Sequence, residues 1–168
     1  MYGMTKLTAT QMAIIYHNQA DLDVTIFRTS NVYGPHPKAQ FQGYNVINNI
    51  IDLAMENKNI TIYGEGKQLR DYIYIDDLIE AFILCSKQKA TGQIYNLGYG
   101  KGISFNEMIQ LICKVTGKGK LNYQQWPKET KEVETGDYIS NISKIKKDLG
   151  FSPRINFQKG IEKTLEAL

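Results

Sequence analysis

The chain has 168 residues, 42% hydrophobic and 22% charged, which is enough to build the core of one globular domain. Its 20 basic and 17 acidic residues leave a net charge of +3, a balance that argues against a nucleic-acid partner. No signal peptide and no apolar stretch of bilayer-spanning length is present, so we expect a cytoplasmic protein without a membrane partner. The two cysteines and two histidines lack metal-ligand spacing, so no metal site is predicted.

The predicted elements alternate between helix and strand. Apolar residues at helical spacing predict a first helix from Lys6 to about Asn18, and a β-branched run predicts a buried strand over Asp23–Phe27. A polar loop from Arg28 to Pro35 should follow. The later predictions are helices over 46–56, 76–88, 104–116, 142–149 and 157–168, with strands over 60–63, 71–75 and 93–97. This alternation predicts the α/β class.

Two helix starts carry capping signals. Asp76 is placed as the N-cap of its helix. Ser104 is followed three residues later by Glu107, which predicts a reciprocal capping box.

Tyr2 and Lys6 are four positions apart in the chain and therefore share one face of a helix, one turn apart. An ammonium beside a phenol favours the phenolate, which can exchange a proton with a substrate hydroxyl. Taken alone, a Tyr-x-x-x-Lys pattern is more often two polar residues at a helix start. Its interpretation therefore depends on the rest of the chain.

The glycine-rich stretch from Gly98 to Gly102 follows a predicted strand and precedes a helix, as a dinucleotide-binding loop would. The fingerprint G-x-G-x-x-G requires a third glycine where this chain has Ile103, and no acidic residue ends a strand about twenty residues later. We interpret the stretch as a turn near a ligand.

Five motifs occur in order along the chain. They are Tyr2-Gly3-x-Thr5-Lys6, Phe27-Arg28-x-x-Asn31-Val32-Tyr33-Gly34-Pro35, Gly64-x-Gly66-x-Gln68-x-Arg70-Asp71-Tyr72-Ile73-Tyr74-Ile75-x-Asp77, Tyr95-Asn96-Leu97-Gly98-x-Gly100 and Leu149-Gly150-Phe151-x-Pro153. In this order and spacing the chain resembles the extended short-chain dehydrogenase/reductases, the NAD-dependent nucleotide-sugar epimerase/dehydratase family. It is most similar to the UDP-glucose 4-epimerase-like members.

The resemblance implies which part of the family fold these residues form. Residues 1–168 would form the C-terminal portion of a Rossmann-type enzyme: the catalytic helix, the last parallel strands and helices, and the small substrate-binding domain. The Gly-rich NAD-binding half of the family is absent from these residues. We therefore expect the 168 residues alone neither to bind NAD measurably nor to turn over UDP-glucose. The resemblance also implies a homodimer, through an apolar face of the first helix that includes Leu7, Met12 and Ile15.

The resemblance assigns roles near the cofactor. Tyr2 would be the acid/base that takes a proton from the sugar hydroxyl while hydride passes to NAD, and Lys6 would hold the nicotinamide ribose and favour the phenolate. Thr29, Asn31 and Val32 would line the cofactor site. Asn31 would also meet the sugar diphosphate; the alternative is a turn asparagine.

Other residues are implied to bind a nucleotide-sugar, most simply a UDP-sugar. Arg70 would grip the diphosphate with its fork of donors, Asn45 would meet it at a helix start, and Asp137 would bind the ribose. Thr61 and Tyr63 would line the base pocket, although a packing role for Tyr63 is equally open.

The sequence leaves two points about Arg70 open. Its alternative role is an ion pair with Asp71 or Asp76. In addition, the family pattern Arg-x-Gly-Asp here reads Glu134-Thr135-Gly136-Asp137, so a phosphate-binding arginine is missing. Lys131 could supply the charge, and we expect Glu134 to turn away from the diphosphate.

The function expected from the resemblance is therefore that of a nucleotide-sugar epimerase portion. Two alternatives stay open: a nucleotide-sugar dehydratase or decarboxylase portion, and a non-catalytic module that binds a nucleotide-sugar.

Overall fold

The computed structural model describes residues 2–35, 46–87, 90–132 and 134–168, except for the side chains of residues 129 and 130. Within these ranges the helices are α1 Tyr2–Ala20, α2 Val46–Met55, α3 Ile75–Lys87, α4 Phe105–Thr116, α5 Lys128–Glu132, α6 Ser143–Leu149 and α7 Phe157–Glu166. The strands are β1 Ile26–Thr29, β2 Asn31–Tyr33, β3 Asn59–Tyr63, β4 Leu69–Tyr74, β5 Ile94–Leu97, β6 Gly102–Ser104 and β7 Lys120–Gln124.

The strands pair mainly in parallel. Strand β1 lies beside β5, β2 beside β4, and β3 beside β7, each pair parallel, whereas β6 joins the other edge of β4 antiparallel. The register places Asn31 opposite Tyr72 and Thr61 opposite Asn122. Parallel strands connected through helices confirm the predicted α/β class.

Strand β4 lies between two apolar clusters. Tyr72 and Tyr74 pack into a cluster built with α2, β3, α4 and α7, and Ile73 packs into another built with α3, β5 and α6. Neighbouring side chains alternate between the faces of a strand, so one strand serves both cores. Each fully buried residue such as Ile73 contributes about 1.5–3 kcal/mol relative to an exposed position. This burial fixes the position of the polar residues at the start of β4.

Several strands and one short helix differ from the elements predicted from the sequence. The segment from Arg28 to Pro35, predicted as a loop, contains the end of β1 and all of β2, and the preceding strand begins at Ile26 rather than Asp23. Strand β2 is held by pairing with β4, where Asn31 lies opposite Tyr72 and its side chain donates to Asp71 O, 40 residues away. Local composition does not encode this pairing. Strands β6 and β7 and the short helix α5 were not predicted either.

The two capping predictions had different outcomes. At α4, Ser104 Oγ accepts from Glu107 N at 3.2 Å and Glu107 Oε2 accepts from Ser104 N at 3.0 Å, which confirms the capping box. These bonds to Ser104 lower the pKa of Glu107. Asp76, by contrast, lies inside the first turn of α3 and accepts from Lys163 Nζ at 2.7 Å, so its assignment as N-cap is wrong.

Helix α1 is poorly covered by the rest of the described chain. None of its residues is fully buried, and Leu7, Met12 and Ile15 are each 51% exposed. Helix α3 also exposes Ile79 and Phe82. Among the described helices, none has both the length and the apolar character needed to cross a membrane.

Candidate functional site

The Tyr2–Lys6 pair lies in the first two turns of α1. Lys6 Nζ is 5.3 Å from the centroid of the Tyr2 ring, so the helix brings the ammonium and the phenol together as their spacing predicts. Thr5 Oγ1 donates to Tyr2 O at 2.7 Å within the same turn. Tyr2 is 76% exposed, which leaves its hydroxyl accessible to a ligand.

Asn31 begins β2 and lies at the end of the sheet where β4 also begins, at Leu69. We call this end of the sheet the polar edge. Asn31 Nδ2 donates to Asp71 O at 3.1 Å, so the amide is oriented by the neighbouring strand rather than by a local turn. Val32, the next residue, lies opposite Ile73 in the same pairing. Thr29 ends β1 at an exposed position opposite Leu97.

Arg70 immediately precedes Asp71, whose carbonyl binds Asn31, and it forms an ion pair with Glu134. Its Nη1 also donates to Leu69 O at 2.9 Å and Gly136 O at 2.5 Å. Glu134, expected from the sequence to turn away from a diphosphate, instead faces the guanidinium of the arginine assigned to that diphosphate.

The acidic neighbours of Arg70 in the sequence have other partners. Asp71 accepts backbone N–H groups and Asp76 pairs with Lys163, so neither is the ion-pair partner of Arg70. The true partner lies 64 residues away, beyond the reach of local reasoning.

Asp137 is joined to the same edge. Its Oδ1 accepts from Leu69 N at 2.7 Å, and Tyr138 N donates to Leu69 O at 3.0 Å. The segment from Glu134 to Tyr138 therefore runs along the start of β4, with the Glu134 carboxylate on the Arg70 guanidinium and the Asp137 carboxylate on the backbone of Leu69. Lys131, considered as a substitute charge, lies in α5 at an exposed position.

The Asp71 carboxylate is an organising group that the sequence did not single out. It is fully buried and accepts from Tyr99 N at 2.9 Å, Gly100 N at 3.1 Å and Ser140 N at 3.1 Å. Charged hydrogen bonds of this kind are about twice as strong as neutral ones. They bind the Gly98–Gly102 turn to β4, where a side chain at Gly98 would collide with the carboxylate. The only advance signal was an aspartate within a run of aromatic and apolar residues.

Thr61 and Tyr63 lie in a different sheet, on β3 beside β7. Both are half-buried and alternate with the buried Ile60 and Ile62. The Tyr63 ring packs against Trp126 with 5.5 Å between centroids and 36° between planes. Trp126 was not predicted as a site residue, because it lies just after β7 and that strand was not predicted either.

The structure thus brings three of the predicted residues together: Asn31, Arg70 and Asp137. Within the described part of the chain, no hydrogen bond or ion pair joins the Tyr2–Lys6 pair to Asn31 or Arg70. Asn45, predicted to meet the diphosphate, lies outside the described residues.

The neighbouring tyrosines are poorly suited to proton transfer. Burial raises the pKa of Tyr72 to about 12, although the Arg70 charge opposes the shift. Burial likewise raises the pKa of Tyr33, whose hydroxyl donates to Phe157 O at 3.3 Å. A neutral phenol with so high a pKa is a poor acid or base near neutrality.

The described ranges also contain a surface cavity outside the predicted site. No group of three or more His, Cys, Asp or Glu side chains there is arranged to hold a metal ion. A surface cavity between β6 and α4 encloses about 500 Å³ and is lined by residues such as Ile103, Glu107 and Lys114, none of which was predicted as a site residue. The polar edge of β4 is therefore the better candidate.

The structure is a mainly parallel α/β fold of the Rossmann type, and the polar edge of β4 carries the half-buried guanidinium of Arg70. The model of the GDP-mannose 4,6 dehydratase family matches residues 1–164, and the chain belongs to that family, within the extended short-chain dehydrogenase/reductase group of epimerases and dehydratases. This confirms the resemblance drawn from the five motifs.

Similar proteins include a sugar-nucleotide dehydratase and a sugar-nucleotide epimerase. The chain is 33% identical to dTDP-D-glucose 4,6-dehydratase of Homo sapiens, with 98% of this chain and 47% of the relative covered. It is 34% identical to UDP-glucuronate 4-epimerase of Thermodesulfobacterium geofontis, with 98% of this chain and 49% of the relative covered. The chain thus spans about half the length of the relatives it matches.

Solved structures agree. UDP-glucose 4-epimerase of Thermotoga maritima, determined with UDP-glucose, superposes with a TM-score of 0.88 at 25% identity, covering 99% of this chain and 52% of that one. UDP-glucuronic acid 4-epimerase of Bacillus cereus, determined with UDP-glucuronic acid and NAD, gives a TM-score of 0.82 at 27% identity, covering 99% and 51%. The predicted partial epimerase fold is confirmed.

Proposed function

We propose that this chain is the catalytic and substrate-binding portion of an NAD-dependent nucleotide-sugar epimerase that acts on a UDP-sugar. The observation that carries the proposal is the edge of β2 and β4, where Asn31, Arg70 and Asp137 are gathered with the guanidinium half-buried. A planar guanidinium in a partly dry site suits the paired oxygens of a diphosphate.

The catalytic step is assigned to Tyr2. Its phenolate would accept the proton of the sugar hydroxyl and later return it. The family resemblance gives the Lys6 ammonium, 5.3 Å from the Tyr2 ring centroid, the role of favouring the phenolate. The exposed phenol and ammonium fit the nicotinamide end of NAD, with Lys6 on its ribose and Thr29, Asn31 and Val32 beside it. NAD, when bound, supplies the hydride acceptor and donor. The 168 residues contain no Gly-rich pyrophosphate loop, so we expect them alone neither to bind NAD measurably nor to turn over UDP-glucose.

The substrate is assigned to the β3–β4 side of the molecule. Arg70 would bind the diphosphate and Asp137 the ribose. Thr61 and Tyr63 would face the uracil, for which the Tyr63–Trp126 pair offers an aromatic surface. Asn45 remains assigned to the diphosphate from sequence alone.

Titration of UDP into the wild-type chain and into Arg70→Lys tests the proposal. The lysine keeps the charge but loses the fork, so UDP binding should weaken by about 1.5–3 kcal/mol, the contribution of a hydrogen bond to a charged group. Calorimetry supplies the affinities. Arg154→Lys is the matched control, because Arg154 is ion-paired with Glu80 on another part of the surface and should leave UDP binding unchanged. Equal UDP affinity in Arg70→Lys and wild type would remove Arg70 from the site.

A second candidate function is nucleotide-sugar 4,6-dehydration, favoured by the 33% identity to dTDP-D-glucose 4,6-dehydratase. The two activities differ in outcome, since an epimerase returns an isomer whereas a dehydratase releases water and leaves a keto-deoxy sugar. Product analysis in a protein that carries this chain with a cofactor-binding half separates them.

A further inference from the structure

The Arg70 guanidinium is already largely committed to groups of the protein. An arginine carries five N–H donors. Both donors of Nη1 are used, by Leu69 O at 2.9 Å and Gly136 O at 2.5 Å, and Nη2 donates to Glu134 Oε1. An incoming anion therefore meets a guanidinium whose Nη2 already has an anionic acceptor.

Glu134 is held firmly in this position. The same Oε1 atom accepts a second bond, from Gly136 N at 3.1 Å. The Arg70 and Glu134 side chains are only 21% and 26% exposed, whereas those of the Lys67–Glu65 pair are 80% and 72% exposed. Water and salt therefore screen the Arg70–Glu134 attraction less than that of a surface pair.

The segment that carries Glu134 is also anchored independently of the ion pair. Asp137 Oδ1 accepts from Leu69 N, and Tyr138 N donates to Leu69 O. These backbone bonds tie the segment to β4 on their own. Substitution of Glu134 should therefore leave the segment in place.

A carboxylate oxygen and a phosphate oxygen are equivalent acceptors for a guanidinium, so they compete for the same donor. We propose that Glu134 is an intramolecular competitor of the ligand diphosphate at Arg70 and so sets how tightly the site holds a nucleoside diphosphate. This inference rests on the function proposed above. Because two of the five donors stay open among the described residues, the diphosphate either displaces Glu134 from Nη2 or binds beside it, and a carboxylate that stays nearby repels it.

Titration of UDP into Glu134→Gln tests the inference. Loss of the competing charge should tighten UDP binding about tenfold, equivalent to 1.4 kcal/mol. Binding of uridine, which has no phosphate, should be unchanged. Glu132→Gln is the matched control: it removes the same charge from an exposed position two residues away and should alter UDP affinity less than about twofold, as expected for a screened surface charge.

Glu134→Asp provides a second variant that keeps the charge. Its shorter side chain withdraws the carboxylate from Nη2, so UDP affinity should rise, though less than in Glu134→Gln. Unchanged or weaker UDP binding in both variants, with wild type still binding UDP, would overturn the role of Glu134 and leave the proposed function standing. If neither wild type nor the variants bind UDP, both proposals are wrong.

Discussion

At the scale of single residues, two charged side chains at the start of β4 bind groups that are distant in the chain. The guanidinium of Arg70 is ion-paired with Glu134, 64 residues away, so this pair depends on how the later segment lies along β4. The carboxylate of Asp71 accepts from backbone N–H groups 28, 29 and 69 residues away. Local sequence patterns do not encode these partners.

Tyr72 makes stability depend on pH at the alkaline end. Burial raises its pKa from 10.0 to about 12, so between these values the unfolded chain releases a proton that the folded chain retains. Stability from this residue is therefore fully present below pH 10 and falls as the pH rises toward 12. A shift of this size corresponds to about 2–3 kcal/mol.

Tyr72→Phe removes that titrating group, so the free energy of unfolding should fall less steeply with alkaline pH than in wild type. Denaturant unfolding at a series of pH values measures the slope. A residual slope is expected because burial also raises the pKa of Tyr33. Tyr16→Phe, at a 54% exposed position, is the control and should leave the slope unchanged. Identical slopes in wild type and Tyr72→Phe would contradict the account.

At the scale of elements, the capping box of α4 could be predicted from local sequence, whereas the strands held by long-range pairing could not. Helix α4 was predicted with its cap, because Ser104 and Glu107 satisfy each other within one turn. Strand β2 was predicted as loop, because its three residues are held by pairing with β4 rather than by their own propensity. Strand β7 similarly depends on β3.

Helix α1 leads to a prediction about association. Its half-exposed Leu7, Met12 and Ile15 form an apolar surface without cover in the described structure. Such surfaces favour self-association, and we expect a homodimer through this helix. Light scattering should give the mass of a dimer for wild type and a shift toward monomer for Met12→Glu. Ala20→Glu adds the same charge at an exposed position on another face of the helix and should remain dimeric. A monomeric wild type at high concentration would contradict this expectation.

At the scale of the whole molecule, the five motifs were sufficient to predict the family and the α/β class. They were not sufficient to predict how the site is assembled. The structure gathers Asn31, Arg70 and Asp137 at one edge, whereas the Tyr2–Lys6 pair belongs to an exposed helix and Tyr63 to another sheet. The proposed function requires one UDP-sugar to reach all three places.

A crystal structure of the chain with UDP-glucose is the most direct test of whether one ligand reaches these three places. We predict that the diphosphate oxygens bind the Arg70 guanidinium in place of Glu134, that the uracil lies beside Tyr63, and that the glucose extends toward the Tyr2 hydroxyl. A diphosphate bound elsewhere, with the Arg70–Glu134 pair intact, would contradict the account.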